Sequence, residues 1–71
     1  MSRRFELIGG SSAKFWSIAV SGNEVTVTYG RLGTKGQSQT KSFPSAAQAQ
    51  QHAAGLMRQK LAKGYVECVA T

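Results

Sequence analysis

Tyr29, Gly30 and Arg31 stand in a row near the middle of this 71-residue chain, and "LGTKGQ" follows them. An aromatic ring beside a guanidinium can grip a sugar–phosphate strand. The ring offers a flat surface to a sugar or base, and the guanidinium offers a fork to phosphate. Lys35, on the adjoining loop, adds a second cation. The glycines at 30, 33 and 36 raise another chemistry, that of a phosphate loop. A Walker loop, however, ends in Gly-Lys-Ser/Thr and leads directly into a helix. Here Lys35 precedes Gly36 and a polar extended run follows. A dinucleotide fingerprint also needs a helix N-terminus beside its glycines. A third reading is structural, with Tyr29 in the core and Arg31 capping loop carbonyls. The residues alone leave the choice between a grip and a tight turn open.

Other reactive side chains are few. His52 is the single histidine. It falls off the apolar stripe of its segment with no acidic neighbour in sequence to orient it as a base, so an exposed helical histidine is expected. Glu6, Glu24 and Glu67 lie on three separate segments and form no carboxylate pair. Cys68 is the single cysteine, which excludes an internal disulfide and a thiolate metal site. Its alternation with Val66 marks it as a small core residue. Without a nucleophile–base pair or a ligand cluster, the expectation is a non-catalytic module with no cofactor and no metal.

Nine Lys and Arg stand against three Glu, a net charge of +6 and a pI near 10.1. Such an imbalance in a small domain points to a polyanionic partner. A chain of this size buries only about 60% of its unfolded surface, so one modest core is expected. No stretch approaches the roughly 20 apolar residues that span a bilayer. "MSRRFELIGG" carries no signal-peptide pattern, and the cytoplasm is the default compartment.

The elements that must position these residues follow from periodicity. "RRFELI" alternates, with Phe5 and Leu7 on one face and Arg4, Glu6 and Ile8 on the other. "KFWSIAV" puts Trp16, Ile18 and Val20 on one face. Gly22-Asn23 suits a two-residue hairpin turn that needs positive φ. "EVTVTYGRL" places Val25, Val27, Tyr29 and Arg31 on one face and Thr26, Thr28 and Gly30 on the other. "QSQTKSF" is polar on both faces, as an edge strand would be, with Lys41 guarding against unwanted pairing. After Pro44, Ser45 and Gln48 form a capping box. A helix of about 19 residues follows, its stripe made of Ala46, Ala49, Ala53, Leu56, Met57 and Leu61. Leu61 is expected to anchor the far end of that stripe. Gly64 suits the C′ position, and "YVECVA" reads as a short last strand. The predicted fold is α+β: an antiparallel sheet of four to five strands with one long helix packed across one face, in a single domain over residues 1–71.

The run from Lys14 to Glu67 resembles a WGR domain, a module named for a Trp-Gly-Arg triplet at a strand end. The likeness rests on Tyr29, Gly30, Arg31, Leu32, Gly33 and Thr34, on the later Gly36-Gln37, and on the terminal "KLAKGYVE". Tyr29 occupies the Trp position and Arg31 keeps the Arg. The resemblance implies an antiparallel sheet crossed by one helix and a binding role. In poly(ADP-ribose) polymerases the triplet's Trp packs on a DNA backbone near a break, so the expected activity is binding of DNA backbone or DNA ends, DNA ahead of RNA. No ADP-ribosyl transfer is expected of these residues. The expected contacts are Tyr29, Arg31 and Lys35, extended by Lys41, Arg3, Arg4 and Lys14. The second reading is a protein-interaction module that docks an acidic partner.

Overall fold

The computed structural model describes residues 2–68. Strands β1 (Ser2–Gly9), β2 (Ser12–Ser21), β3 (Glu24–Arg31) and β4 (Gln37–Ser42) run as an antiparallel meander. Helix α1 (Ala46–Ala62) follows, and β5 (Val66–Cys68) returns to pair antiparallel with β1. The sheet order is β4-β3-β2-β1-β5, so β4 forms one edge and the three-residue β5 the other. This is the α+β sheet-and-helix arrangement expected from the periodicity. Among the described residues, no helix is long and apolar enough to cross a membrane.

The β2–β3 turn uses one positive φ rather than two. Gly22 sits at φ 60°, and no residue other than glycine has positive φ among the described residues. A glycine at the first central position of a two-residue loop is the II′ arrangement, which matches the twist of the strands it joins.

Register decides which side chains share a face. Phe5, Trp16, Tyr29 and Gln37 form one cross-strand row, and Arg3, Ile18, Val27 and Gln39 form the next. These rows lie under α1. Phe5, Trp16, Ile18 and Val25 are buried there against Ala49, Ala53 and Met57. The Phe5 and Trp16 rings meet at 5.6 Å. Burying a side chain such as Phe5 or Ile18 is worth about 1.5–3 kcal/mol, so these few residues carry much of the stability of so small a core.

The helix starts and ends as the sequence signals indicate. The Ser45 hydroxyl accepts from the Gln48 amide at 3.2 Å. At the other end Gly64 (φ 104°) allows a Schellman closure, with Gly64 N–H donating to Leu61 O and Tyr65 N–H donating to Lys60 O. The apolar stripe differs from the expected one. Ala49, Ala53 and Met57 are buried, Ala46 is exposed, and Leu61 is 50% exposed. Leu61 therefore does not anchor the helix. The reason is helical geometry. At 3.6 residues per turn, a residue seven positions past Ala53 points about 20° from it, and one eight positions past points about 80° away. The seventh is Lys60 and the eighth is Leu61. Lys60 thus turns toward the sheet and Leu61 turns out.

Two further expectations are corrected. Cys68 pairs with Arg4 across β1 and β5, on the face away from α1, so it is half-buried there and is not a core residue. His52 is half-buried rather than exposed, its ring 4.8 Å from that of Phe43. Phe43 follows β4 and reaches back under the helix, which the polar pattern of "QSQTKS" did not show.

Candidate nucleic-acid interface

The loop after β3 answers the question its glycines raise. A Cβ on Gly30 would lie 2.8 Å from the Gly36 Cα, and one on Gly36 would lie 2.7 Å from the Phe15 ring and collide with the Tyr29 carbonyl. The loop folds back onto the end of its own strand, and only glycines permit that approach. Gly33 (φ 89°) sits in the turn in which the Thr34 amide and hydroxyl donate to the Arg31 carbonyl at 3.1 and 2.7 Å. The glycines serve a tight backbone crossing. The loop cap is Thr34, and its acceptor is the Arg31 main chain. The Arg31 guanidinium caps nothing and takes part in no hydrogen bond or ion pair among the described residues.

Arg31 is instead aligned with Lys14. The two are direct partners across β3 and β2, on the face that carries α1. Like charges directly opposite on a sheet oppose folding, so this pair is not there for stability. Lys60 reaches over from the helix, its Nζ 5.5 Å from the ring centres of both Trp16 and Tyr65. The Schellman closure fixes Tyr65 beside Lys60, and the 20° offset from Ala53 aims Lys60 inward. Burial, with the charges of Lys63 and Lys14 added, lowers the Lys60 ammonium below the usual lysine range. The fall names its neighbours: this end of the domain is a cluster of cations.

That cluster closes one end of a groove of about 1100 Å³ between α1 and the β4 edge. Its floor is Trp16, Val25, Val27 and Tyr29, and His52, Leu56, Gln59 and Lys60 form the helical wall. Gln39 and Lys41 stand on the open side. Val27 and Tyr29 are only half-buried, so part of each stays open to the groove. The Tyr29 hydroxyl lies between Gln37 and Gln39 at 3.5 Å from each, the long limit of a hydrogen bond. Lys41 is at the other end of the groove, its Nζ 5.5 Å from the Phe43 ring.

All three glutamates are engaged elsewhere. Glu67 takes a two-pronged pair of hydrogen bonds from Arg3 at 2.7 and 2.5 Å. That donation holds the Glu67 carboxyl below the usual carboxylate range and raises Arg3. Glu6 pairs with Arg4 at 3.2 Å, and Glu24 accepts from Ser42 at 3.3 Å. Lys14, Arg31, Lys35, Lys41, Arg58, Lys60 and Lys63 therefore have no carboxylate partner among the described residues.

Of the residues singled out from the sequence, the fold brings Tyr29, Arg31, Lys14 and Lys41 to this groove. Lys35 stays on the exposed loop after β3. Arg3 is tied to Glu67. Arg4 faces away from α1, its guanidinium 4.5 Å from the centre of the Phe15 ring, which it covers. The groove itself and Lys60 were missed. Helical phase measured from Ala53 was the available signal for Lys60, but an apolar stripe ending in Leu61 obscured it.

Comparison with known proteins agrees with the sheet-and-helix fold. The profile of the WGR domain matches residues 1–70. Protein YehF of Escherichia coli K12 is 45% identical over 65 residues, which are 92% of this chain and 24% of that protein. The uncharacterized protein YfeS of the same organism is 39% identical over 67 residues, 94% of this chain and 28% of that one. This chain thus spans about a quarter of the length of either relative. A crystal structure of a Bacteroides fragilis protein superposes with a TM-score of 0.94 at 49% identity, covering 97% of this chain and 20% of that one.

Proposed function

The chain belongs to the WGR domain family, a family of binding modules, and from that premise we propose that it binds nucleic acid, DNA ahead of RNA, along the cationic groove beside α1. One observation carries the reading. Lys14 and Arg31 face one another across β2 and β3, Lys60 lies over Trp16 two residues along from Lys14, and each of the three glutamates is engaged elsewhere. A fold that opposes two cations in its own sheet gives up stability for them. A polyphosphate backbone neutralises all three. The nucleic-acid binding of the family in poly(ADP-ribose) polymerases supports the same partner. Tyr29, half-buried on the floor and open on one side, supplies a flat ring next to the charges.

The experiment is a titration of labelled blunt, nicked and single-stranded DNA and of RNA at a series of salt concentrations. Lys14, Arg31, Lys41 and Lys60 together engage about four phosphates, so log K against log[salt] falls with a slope of about −3 to −4. A flat response, or no binding at low salt, overturns the proposal. Saturable one-to-one capture of an acidic protein by a domain that ignores DNA would move the function to protein docking.

A further inference from the structure

We propose that the groove receives a short unpaired strand, with one base on the floor and phosphates of neighbouring nucleotides on the cations at either end, so that this domain selects single-stranded or locally opened nucleic acid over continuous duplex. The inference rests on the nucleic-acid reading above and adds what that reading lacks, the form of the ligand.

The shape points there first. A duplex carries its phosphates outside and its bases stacked inside, so it can touch the rim cations but has nothing to lay on the floor. A single strand can splay a base out and stack it on a ring. The floor here is too large and too open to be only an imperfection of the core. Val27 and Tyr29 stay half-exposed beneath about 1100 Å³ of groove, while Ile18 opposite Val27, and Phe5 further along the row of Tyr29, are sealed.

The order of chemical groups along the groove agrees. Lys14, Arg31 and Lys60 stand at one end and Lys41 at the other. Lys41 pairs with Val25, and Arg31 lies six residues further along β3. The two ends are thus about 20 Å apart at roughly 3.4 Å per residue. Between them lie the Tyr29 ring, the Leu56 side chain and the amides of Gln39 and Gln59. The rings and aliphatic carbons suit the face of a base. The amides carry both donors and acceptors and suit its edge. Among the described residues no carboxylate lines the groove, so none of them repels the phosphates of a bound strand. The Tyr29 hydroxyl, held only by 3.5 Å contacts to Gln37 and Gln39, can exchange them for a ligand at small cost.

The test compares oligothymidine with a duplex of equal phosphate number, for the parent chain and for Tyr29→Leu. That substitution removes the ring from the floor and leaves every charge in place. The parent is expected to bind the single strand more tightly than the duplex. Tyr29→Leu is expected to weaken single-strand binding by about tenfold or more, the size of one lost base–aromatic contact, with a smaller loss for the duplex. A second measurement needs no variant: the methyl resonances of Val27 and Leu56 in the parent chain should shift on adding oligothymidine. If duplex binds while oligothymidine does not, if Tyr29→Leu weakens both equally, or if those methyls stay still as oligothymidine binds, the inference is overturned and the nucleic-acid reading stands. If neither probe binds the parent, both fall together.

Discussion

Arg31→Ala separates a binding arginine from a structural one more cleanly than any other change. Among the described residues the guanidinium has no hydrogen bond and no carboxylate, and its cross-strand partner is Lys14. The loop cap survives its removal, because Thr34 donates to the Arg31 main-chain carbonyl, which alanine also has. Removing the side chain therefore deletes a repulsion. Cross-strand pairs are worth about 0.2–1 kcal/mol, and a like-charged pair carries the unfavourable sign. The melting temperature should hold or rise, by up to about 4–8 °C if the gain reaches 1 kcal/mol. Binding should move the other way. A charge-assisted hydrogen bond to phosphate contributes about 1.5–3 kcal/mol, or roughly 10- to 100-fold in affinity at 1.4 kcal/mol per decade. The salt slope should become shallower by about 0.9. The assays are thermal melts and anisotropy titrations on the same preparations. A lower melting temperature with unaltered affinity would refute the reasoning and return Arg31 to a structural role.

Three other outcomes follow from the same geometry. Gly36→Ala forces a side chain into φ 72° and against the Tyr29 carbonyl and the Phe15 ring, and should cost about 1–3 kcal/mol for the backbone conformation alone. A melt equal to the parent's would show that the loop does not cross so closely. Met57→Ala should cost about 2–5 kcal/mol, as buried truncations do, whereas Leu61→Ala, at a half-exposed site, should cost under about 1 kcal/mol. The reverse order in denaturant melts would restore Leu61 to the core. Arg3 holds the folded-state Glu67 carboxyl below its usual range of about 4.5. A depressed carboxyl contributes stability that is present above its unfolded pKa and is lost as pH falls through the lower folded value. Stability should therefore decline as pH drops below about 4.5, and Arg3→Ala should flatten that part of the profile. An identical acid profile in the variant would show that the pair does not form in solution.

Much of the fold was legible because it is governed by near neighbours. Alternation set the faces of β1, β2 and β3. Ser45 and Gly64 set the ends of α1 through backbone groups only a few residues away. The expected site divided differently. Tyr29 and Arg31 could be named because both lie on one strand with a period of two. Lys14 joined them only through the register of β2 against β3, in which each residue faces one partner and a slip of one would turn it to the other side. Arg3 and Arg4 show the converse. They are adjacent in sequence, yet the pleat sends one to Glu67 on the α1 side and the other to Phe15 on the far side.

By itself, then, the sequence determined the number and kind of elements, the hairpin meander, the caps of the helix and the excess of positive charge, since each depends on residue type and on contacts within a few positions. Only the tertiary structure decided where that charge gathers. Val27 and Tyr29 stay partly uncovered along the groove, and helical phase turns Lys60 inward and Leu61 outward. The carboxylates of Glu67 and Glu6 neutralise Arg3 and Arg4 and leave Lys14 and Arg31 without a carboxylate among the described residues. Those outcomes depend on contacts between residues as far as 64 positions apart, and no periodicity within one element encodes them.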